Sequence, residues 1–329
     1  MPNINLDDAY ILDETGEQVD KVAGLFTKDE DTTSGEKAFA QLNIGTAGSN
    51  RNLLDNPFFT VRQRGDGPFG AGAGYTVDRW TKFYNGIITA TDDGVSITPN
   101  TTSGWIEFAQ YLPADMGAAL EGKTLTLSAL LQDGTLYSKS GVCVAKPSSG
   151  TTNFITISMP NSMGFVAGRR SDGALRIEFT YGQAYSQDPL NVRAVKLELG
   201  SVSTLANDAP PDYGTELIKC RGYFERINTL GSSEIVGMGM GVSASSVRIG
   251  IPSLICHTIQ SVTYSGGGLL LEGGGNYRTL TSIGKLNATP KNGFLTVTCG
   301  SSDAITLYQT YALVGTAAGG YIDISAEPQ

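Results

Sequence analysis

From Asn52 onward the chain is a succession of short runs in which apolar residues fall on every second position, and that period decides its fold class. Leu125, Leu127, Ala129 and Leu131 make one such run, and Ile155, Ile157 and Met159 another. Leu175, Ile177, Phe179 and Tyr181 follow, then Val195, Leu197 and Leu199. Successive side chains of a strand point to opposite faces, so period two marks strands with one face buried. Asp172-Gly173 and Asp188-Pro189 separate the runs with residues suited to turns. Several short strands in one segment indicate a sandwich or jelly roll. Glycine supplies 42 of 329 residues and charged residues only 17%, in keeping with many tight turns.

The stretch Ala209-Pro210-Pro211-Asp212-Tyr213-Gly214 breaks the pattern. After it, Leu217, Cys220, Phe224 and Ile227 recur at steps of three and four, the spacing of one helical face, which predicts a short helix. Strand signals then resume at Val247, Ile249 and Ile251, at Leu295, Val297 and Cys299, at Ile305 and Leu307, and at Ile322 and Ile324. Residues 1–50 differ: they are polar, with apolar positions only at scattered sites such as Leu25, Phe26, Phe39 and Leu42. Such a segment buries little by itself and stays extended or orders against a partner, which makes it a candidate docking arm. The expected architecture is all-β: an N-terminal extended arm over 1–50, a jelly-roll β-sandwich over 51–211, then a short helix opening a second, C-terminal β-sandwich over 212–329.

Charge and hydropathy remove several function classes. A net charge of −9 supplies no phosphate-binding footprint, which needs clustered Lys and Arg, so nucleic acid is not an expected ligand. No run reaches the ~18 apolar residues that span a bilayer. The start Met1-Pro2-Asn3-Ile4-Asn5 lacks the basic and apolar regions of a signal peptide, so folding in a cytoplasm without Sec export is expected. Cys143, Cys220, Cys256 and Cys299 form no C-x-x-C pair and are expected as reduced thiols.

Three segments carry a family resemblance. The run Arg51-Asn52-Leu53-Leu54-Asp55-Asn56-Pro57-Phe58-Phe59-Thr60-Val61-Arg62-Gln63-Arg64-Gly65, with Tyr75-Thr76-Val77-Asp78-Arg79-Trp80 after it, resembles the opening of carbohydrate-binding-module-like jelly rolls in bacteriophage tail-fibre proteins. Gln110-Tyr111-Leu112, Leu120 to Ser128 and Lys196-Leu197-Glu198-Leu199-Gly200 are similar to later parts of that domain. Glu216-Leu217-Ile218-Lys219-Cys220-Arg221-Gly222-Tyr223-Phe224-Glu225-Arg226 resembles the E-L-x-x-C-x-R-Y-Y-x-R junction that precedes a C-terminal β domain in many phage fibres, with Gly222 where the family usually has Arg. Glu36 to Gly45 is similar to the K-A-x-A-R-x-N-I-G segment that often precedes fibre shafts.

The resemblance implies a virion fibre or receptor-binding subunit. It also implies a homotrimer, joined to other virion proteins of tail, baseplate or capsid through residues 1–50 and contacting a host surface glycan. Its place is then the virion surface, reached by assembly in the host cytoplasm. The competing readings are a capsid head fibre or decoration protein without a receptor role, and a polysaccharide-degrading tail spike. No enzyme activity and no cofactor are expected of it, a structural calcium ion remaining open.

Several patterns mimic chemistry. Gly117-Ala118-Ala119-Leu120-Glu121-Gly122-Lys123-Thr124 satisfies the phosphate-loop pattern letter for letter. A working loop needs a strand before it and a helix after it, whereas Pro113 and Asp115 precede this one and Thr124 to Leu131 alternates as a strand. A turn between two strands is the expectation. Cys256-His257 offers a thiol beside an imidazole, but strand neighbours point apart. Asp29-Glu30-Asp31 opens like a calcium loop, yet Ser34 and Ala40 stand where Gly and Glu are required. Asp78, Asp92, Asp93 and Glu198 are the oxygen donors available to a structural calcium.

Sugar binding needs flat aromatics with polar groups beside them. With Ile106, Phe108, Gln110 and Leu112 facing inward, Trp105, Glu107, Ala109 and Tyr111 line the opposite face of one strand. That face is a sugar platform, a subunit contact or solvent surface, and the carbohydrate-binding candidates on it are Trp105, Glu107 and Tyr111. Tyr181 and Tyr185 are further candidates, and Trp80 is expected in the core.

Overall fold

The computed structural model describes residues 11–12, 18–19, 50–70, 72–84, 86–99, 106–181, 188–229, 231, 234–265, 268–285, 294–316 and 320–327. The chain divides into two units, Met1–Asn50 and Arg51–Gln329. In the first, β1 (Ile11–Leu12) pairs antiparallel with β2 (Gln18–Val19), Ile11 opposite Val19. The acidic run at Asp29 and the shaft-like segment from Glu36 lie outside the described residues.

The second unit is all-β apart from short helical turns, as the alternation predicts. Its first half contains β3 (Gly74–Tyr75), β4 (Thr81–Tyr84), β5 (Ile87–Thr91), β6 (Gly94–Thr98), β7 (Ile106–Leu112), β8 (Thr124–Leu131), β9 (Leu136–Val142), β10 (Thr151–Ser158), β11 (Gly164–Arg170), β12 (Leu175–Tyr181) and β13 (Leu190–Leu199). They form two antiparallel sheets, a six-stranded one in the order β10-β11-β12-β7-β4-β3 and a five-stranded one in the order β5-β6-β13-β8-β9. Between the sheets runs an aromatic ladder. Phe59 meets Trp80 at 5.2 Å, Trp80 stacks on Phe108 at 5.0 Å, and Phe165 stacks on Phe179 at 4.1 Å between ring centroids. Trp80 is fully buried, as expected. Stacked rings contribute contact energy beyond the area that they bury, so this ladder binds together the strands of the six-stranded sheet along its inner face.

A helix, α1 (Ala114–Leu120), replaces the turn expected between β7 and β8. Gly117 lies inside it and is buried, because a side chain there would occupy the position of the Arg169 guanidinium. Gly122 then turns the chain with φ +74°, and Thr124 begins β8. Helix, turn and strand occur in the reverse of the order that a phosphate loop requires.

The predicted second helix is α2 (Tyr213–Arg221), capped by Asp212, whose side chain accepts from the Thr215 amide. It stops at Arg221, so Phe224 and Ile227 belong to the following strand instead of its apolar face. The residues that it buries are Glu216 and Cys220.

Beyond α2 come β14 (Phe224–Thr229), β15 (Ile235–Ser243), β16 (Ser246–Pro252), β17 (Ser261–Tyr264), β18 (Leu269–Gly273), β19 (Asn276–Lys285), β20 (Phe294–Ser301), β21 (Thr310–Gly315) and β22 (Gly320–Ser325). The expected second sandwich is instead a closed barrel in the order β15-β16-β20-β19-β18-β21, joined by a three-stranded sheet β14-β22-β17. Val247, Ile249, Ile251, Leu271, Leu295, Val297, Cys299 and Leu313 fill its interior, as small barrels demand. Closure depends on glycine in β15. A Cβ on Gly239 would stand 1.6 Å from the Arg248 carbonyl oxygen, so only glycine allows β16 to curl so close. No helix among the described residues is long and apolar enough to cross a membrane.

Candidate functional site

Strand register places the candidate side chains on the outer face of the six-stranded sheet. β12 runs antiparallel to β7 with Tyr111 opposite Arg176, Ala109 opposite Glu178 and Glu107 opposite Thr180. Ile106, Phe108, Gln110 and Leu112 are buried on the inner side, so the predicted alternation of β7 is observed. Glu107 and Tyr111 are each partly exposed.

Charged heads surround the Tyr111 ring. The Arg170 guanidinium lies over it, 5.0 Å from the centroid. Arg176 Nη2 pairs with Glu178 Oε1 at 2.7 Å, and Arg176 Nη1 stands 4.0 Å from Glu107 Oε2. Glu178 is buried although it faces outward, flanked in its row by Ala109 and Val166. Burial pushes its carboxyl up to about 7, Arg176 opposes the rise, and the nearby Glu107 charge adds to it. Glu178 Oε2 and Arg176 Nε are buried without a hydrogen-bond partner. Burial also pushes the Tyr111 phenol up. The patch thus presents a partly exposed ring beside the partly exposed heads of Arg176 and Glu107, with the Glu178 carboxyl buried among them.

Tyr181 does not belong to this face. It pairs with Ile106 and shares the inward parity of Leu175, Ile177 and Phe179, so it is a core residue and not a sugar-binding candidate. Trp105 and Tyr185 lie outside the described residues. Arg170, Arg176 and Glu178 escape sequence reasoning. Their outward parity follows from the alternation of β12 and β11, but the register that sets them beside Tyr111 does not.

Of the metal candidates, Asp78, Asp93 and Glu198 are engaged by other partners. Asp78 accepts from the Gln63 amide at 2.6 Å and from its side chain at 2.8 Å. Asp92 and Asp93 occupy the turn between β5 and β6, where Asp93 pairs with Arg193 at 3.1 Å. Glu198 accepts from the amide and hydroxyl of Thr204, and Lys196 lies 3.6 Å away. Among the described residues no three carboxylate, thiol or imidazole groups gather as a metal site would need.

Two of the segments that carry the family resemblance, the opening of the sandwich and the junction from Glu216, meet at a different place, where the sandwich joins α2 and β14. Asn56 donates its amide to Glu216 at 2.7 Å, while its side chain bonds to both backbone atoms of Val61 and to the Asp78 carbonyl. Gln63 reaches from Asp78 to the Phe224 carbonyl and accepts from the Arg226 amide. Arg79 donates to Asp55 and to the Tyr111 carbonyl, and its guanidinium lies 3.5 Å from the centre of the Tyr223 ring. Tyr223 in turn stacks on His257 at 4.1 Å, while the Cys256 thiol faces the Gly222 carbonyl, so imidazole and sulfur have separate partners. Asn56, Phe59 and Arg79 all hold left-handed backbone, with φ between 49° and 71°, which a dense bond network sustains. These residues fasten one part of the unit to the next. Through Arg79 they also hold the end of β7 on which Tyr111 sits.

No family model, curated protein or solved structure matches this chain.

Proposed function

We propose that the chain is a non-enzymatic attachment subunit of a bacterial virus, displayed as a homotrimer and binding a host-surface glycan through the outer face of its sandwich. Residues 1–50 join it to other virion proteins. The observation that carries the glycan reading is the Tyr111 face: a partly exposed ring set among Arg170, Arg176, Glu107 and Glu178. Rings stack on the apolar faces of pyranoses, while carboxylates and guanidinium groups hydrogen-bond their hydroxyls. The virion reading is supported by the sequence resemblance. A single shallow site of this kind binds weakly, and three copies on one fibre raise avidity by ~10²- to 10⁴-fold.

The test is binding of the purified protein to a panel of bacterial surface polysaccharides, with Tyr111→Ala beside it. The reading requires saturable binding by the parent that weakens in the variant. A parent protein that binds none of them and leaves phage adsorption unchanged points to a decoration protein. New reducing ends released from a polysaccharide would make it an enzyme.

A further inference from the structure

Two carboxylates share one guanidinium on the outer face of the six-stranded sheet. Among the described residues the ion pairs of Glu178 and Glu107 are both made with Arg176, at 2.7 Å and 4.0 Å. Arg170 also borders Tyr111, but Asp172 holds it, accepting from its Nε at 3.0 Å and lying 2.9 Å from its Nη2. The flanking strands add no charge in these rows. β4 brings Phe83 opposite Glu107 and Thr81 opposite Ala109, and β11 brings Val166 opposite Glu178 and Gly168 opposite Arg176. Burial pushes the Tyr111 phenol up, so the ring stays neutral. With both carboxyls ionised the trio carries an unbalanced negative charge, and with one proton it is neutral.

Burial decides which carboxyl takes that proton. The Glu178 side chain is 3% exposed, those of Glu107 and Arg176 20% and 21%, so water reaches the trio through the latter two. Loss of water disfavours a charged carboxyl, and with the face open to solvent Glu178 already titrates at about 7. Tyr111 and Glu107 are four residues apart on β7, ~13 Å along an extended strand, and Arg176 and Glu178 stand opposite the stretch between them. A sugar chain stacked on Tyr111 and running along β7 covers Arg176 and Glu107 and removes their water. The unbalanced charge then costs more, and a proton cancels it.

We infer that occupation of the Tyr111 face is coupled to uptake of one solvent proton by Glu178, so that binding there strengthens as the medium turns acidic. The inference rests on the glycan reading above for the occupant. The proton leaves water or buffer and bonds to a carboxylate oxygen of Glu178, Arg176 then pairs with Glu107 alone, and no other bond changes. The bound face holds the proton more tightly than the free face. Binding is therefore at full strength below about 7, where the free face is already protonated, and weakens as pH rises above it. Uptake of one proton makes the affinity about tenfold lower at ~pH 8 than at ~pH 6.

Binding of the full chain to neutral and acidic bacterial surface polysaccharides, measured at ~pH 6 and ~pH 8 with Glu178→Gln beside the parent, tests it. The parent is expected to bind about tenfold more weakly at the higher pH, and Glu178→Gln, which cannot ionise, to bind equally at both. A parent that binds none of them at either pH overturns the glycan reading and the coupling together. A parent that binds with one affinity throughout keeps the glycan reading and overturns the coupling alone, as does a Glu178→Gln protein with the parent's pH dependence. Should the variant fail to fold, calorimetry of the parent near ~pH 8 in two buffers of different ionisation enthalpy decides. Uptake of about one proton per bound site supports the coupling, and no uptake overturns it.

Discussion

Glu327 and Arg64 form an ion pair between the C-terminal end of the described chain and the opening segment of the sandwich, and the same carboxylate accepts from the Arg79 amide at 3.3 Å. Glu327 is almost wholly buried. Burial pushes its carboxyl up, and the charges of Arg64 and Arg79 oppose that rise. Arg64 is held on its other side by the Phe224 ring, 3.3 Å from its centre. The pair thus links three pieces of chain that are far apart in sequence.

Removing one partner of a buried pair leaves the other uncompensated, which typically costs ~3 kcal/mol. Arg64→Met keeps much of the stem's packing while deleting the charge that opposes the rise at Glu327, so the buried carboxylate loses its ion-pair partner. It is expected to lower unfolding free energy by about that amount in urea titration. A loss below ~0.5 kcal/mol, the usual range for surface substitutions, would show that the pair does not couple the segments.

Glu178 predicts a pH dependence. Its carboxyl titrates near 7 in the folded chain, above the ordinary 4.5, so the folded state holds the proton more tightly. Its contribution is then complete below 4.5, fades as pH rises toward 7, and is gone above that. The loss amounts to ~3 kcal/mol at one pKa unit per 1.36 kcal/mol. Glu178→Gln cannot ionise, so its stability measured from about pH 4 to 8 should lack this decline. Parallel profiles for the parent and the variant would contradict it.

What was legible in the sequence depended on distance along the chain. The alternation from Leu175 to Tyr181 declares a strand and sorts its faces, and both are observed. It says nothing of which strand lies beside it, and so does not bring Arg176 to Tyr111. Likewise the runs around Val247 and Val297 suit a sandwich and a barrel equally. Only the glycines at 237, 239 and 241 hint at tight curvature. Of the three-and-four spacing only the step from Leu217 to Cys220 falls within α2, in its last turn, while Phe224 and Ile227 fall in register by coincidence and belong to β14. The motif residues Asn56, Gln63 and Arg79 stand out as letters. Their partners in α2 and β14 are visible only once the chain is folded.

The thiols predict a labelling pattern. Cys143, Cys220 and Cys299 are buried, and burial pushes all three thiols up, that of Cys299 to about 12. Thiolate is the reactive form, so none of the three should react in the folded chain. Cys256 is exposed. A thiol reagent near ~pH 8 should therefore count one fast cysteine per folded chain and all four in denaturant. A second fast thiol would show that one of the buried sites opens readily.

Tyr111 and Tyr181 look alike as letters, each in an alternating strand, yet they predict opposite phenotypes. Tyr181 lies within the sandwich core, and truncating a buried aromatic costs ~3 to 5 kcal/mol through lost contacts and the cavity left behind. Tyr181→Ala should lower the urea midpoint sharply, with any loss of binding following the loss of fold. Tyr111 is partly exposed on the outer face, under Arg170 rather than under the opposing sheet. Its truncation should cost ~1 kcal/mol of stability, the centre of the range for point substitutions. If the ring supplies ~1.4 kcal/mol or more of stacking, the same change weakens glycan binding tenfold or more. Measuring unfolding and binding on both variants separates the roles. A Tyr111→Ala protein with the parent's affinity would move the ligand off this face, whatever its effect on stability.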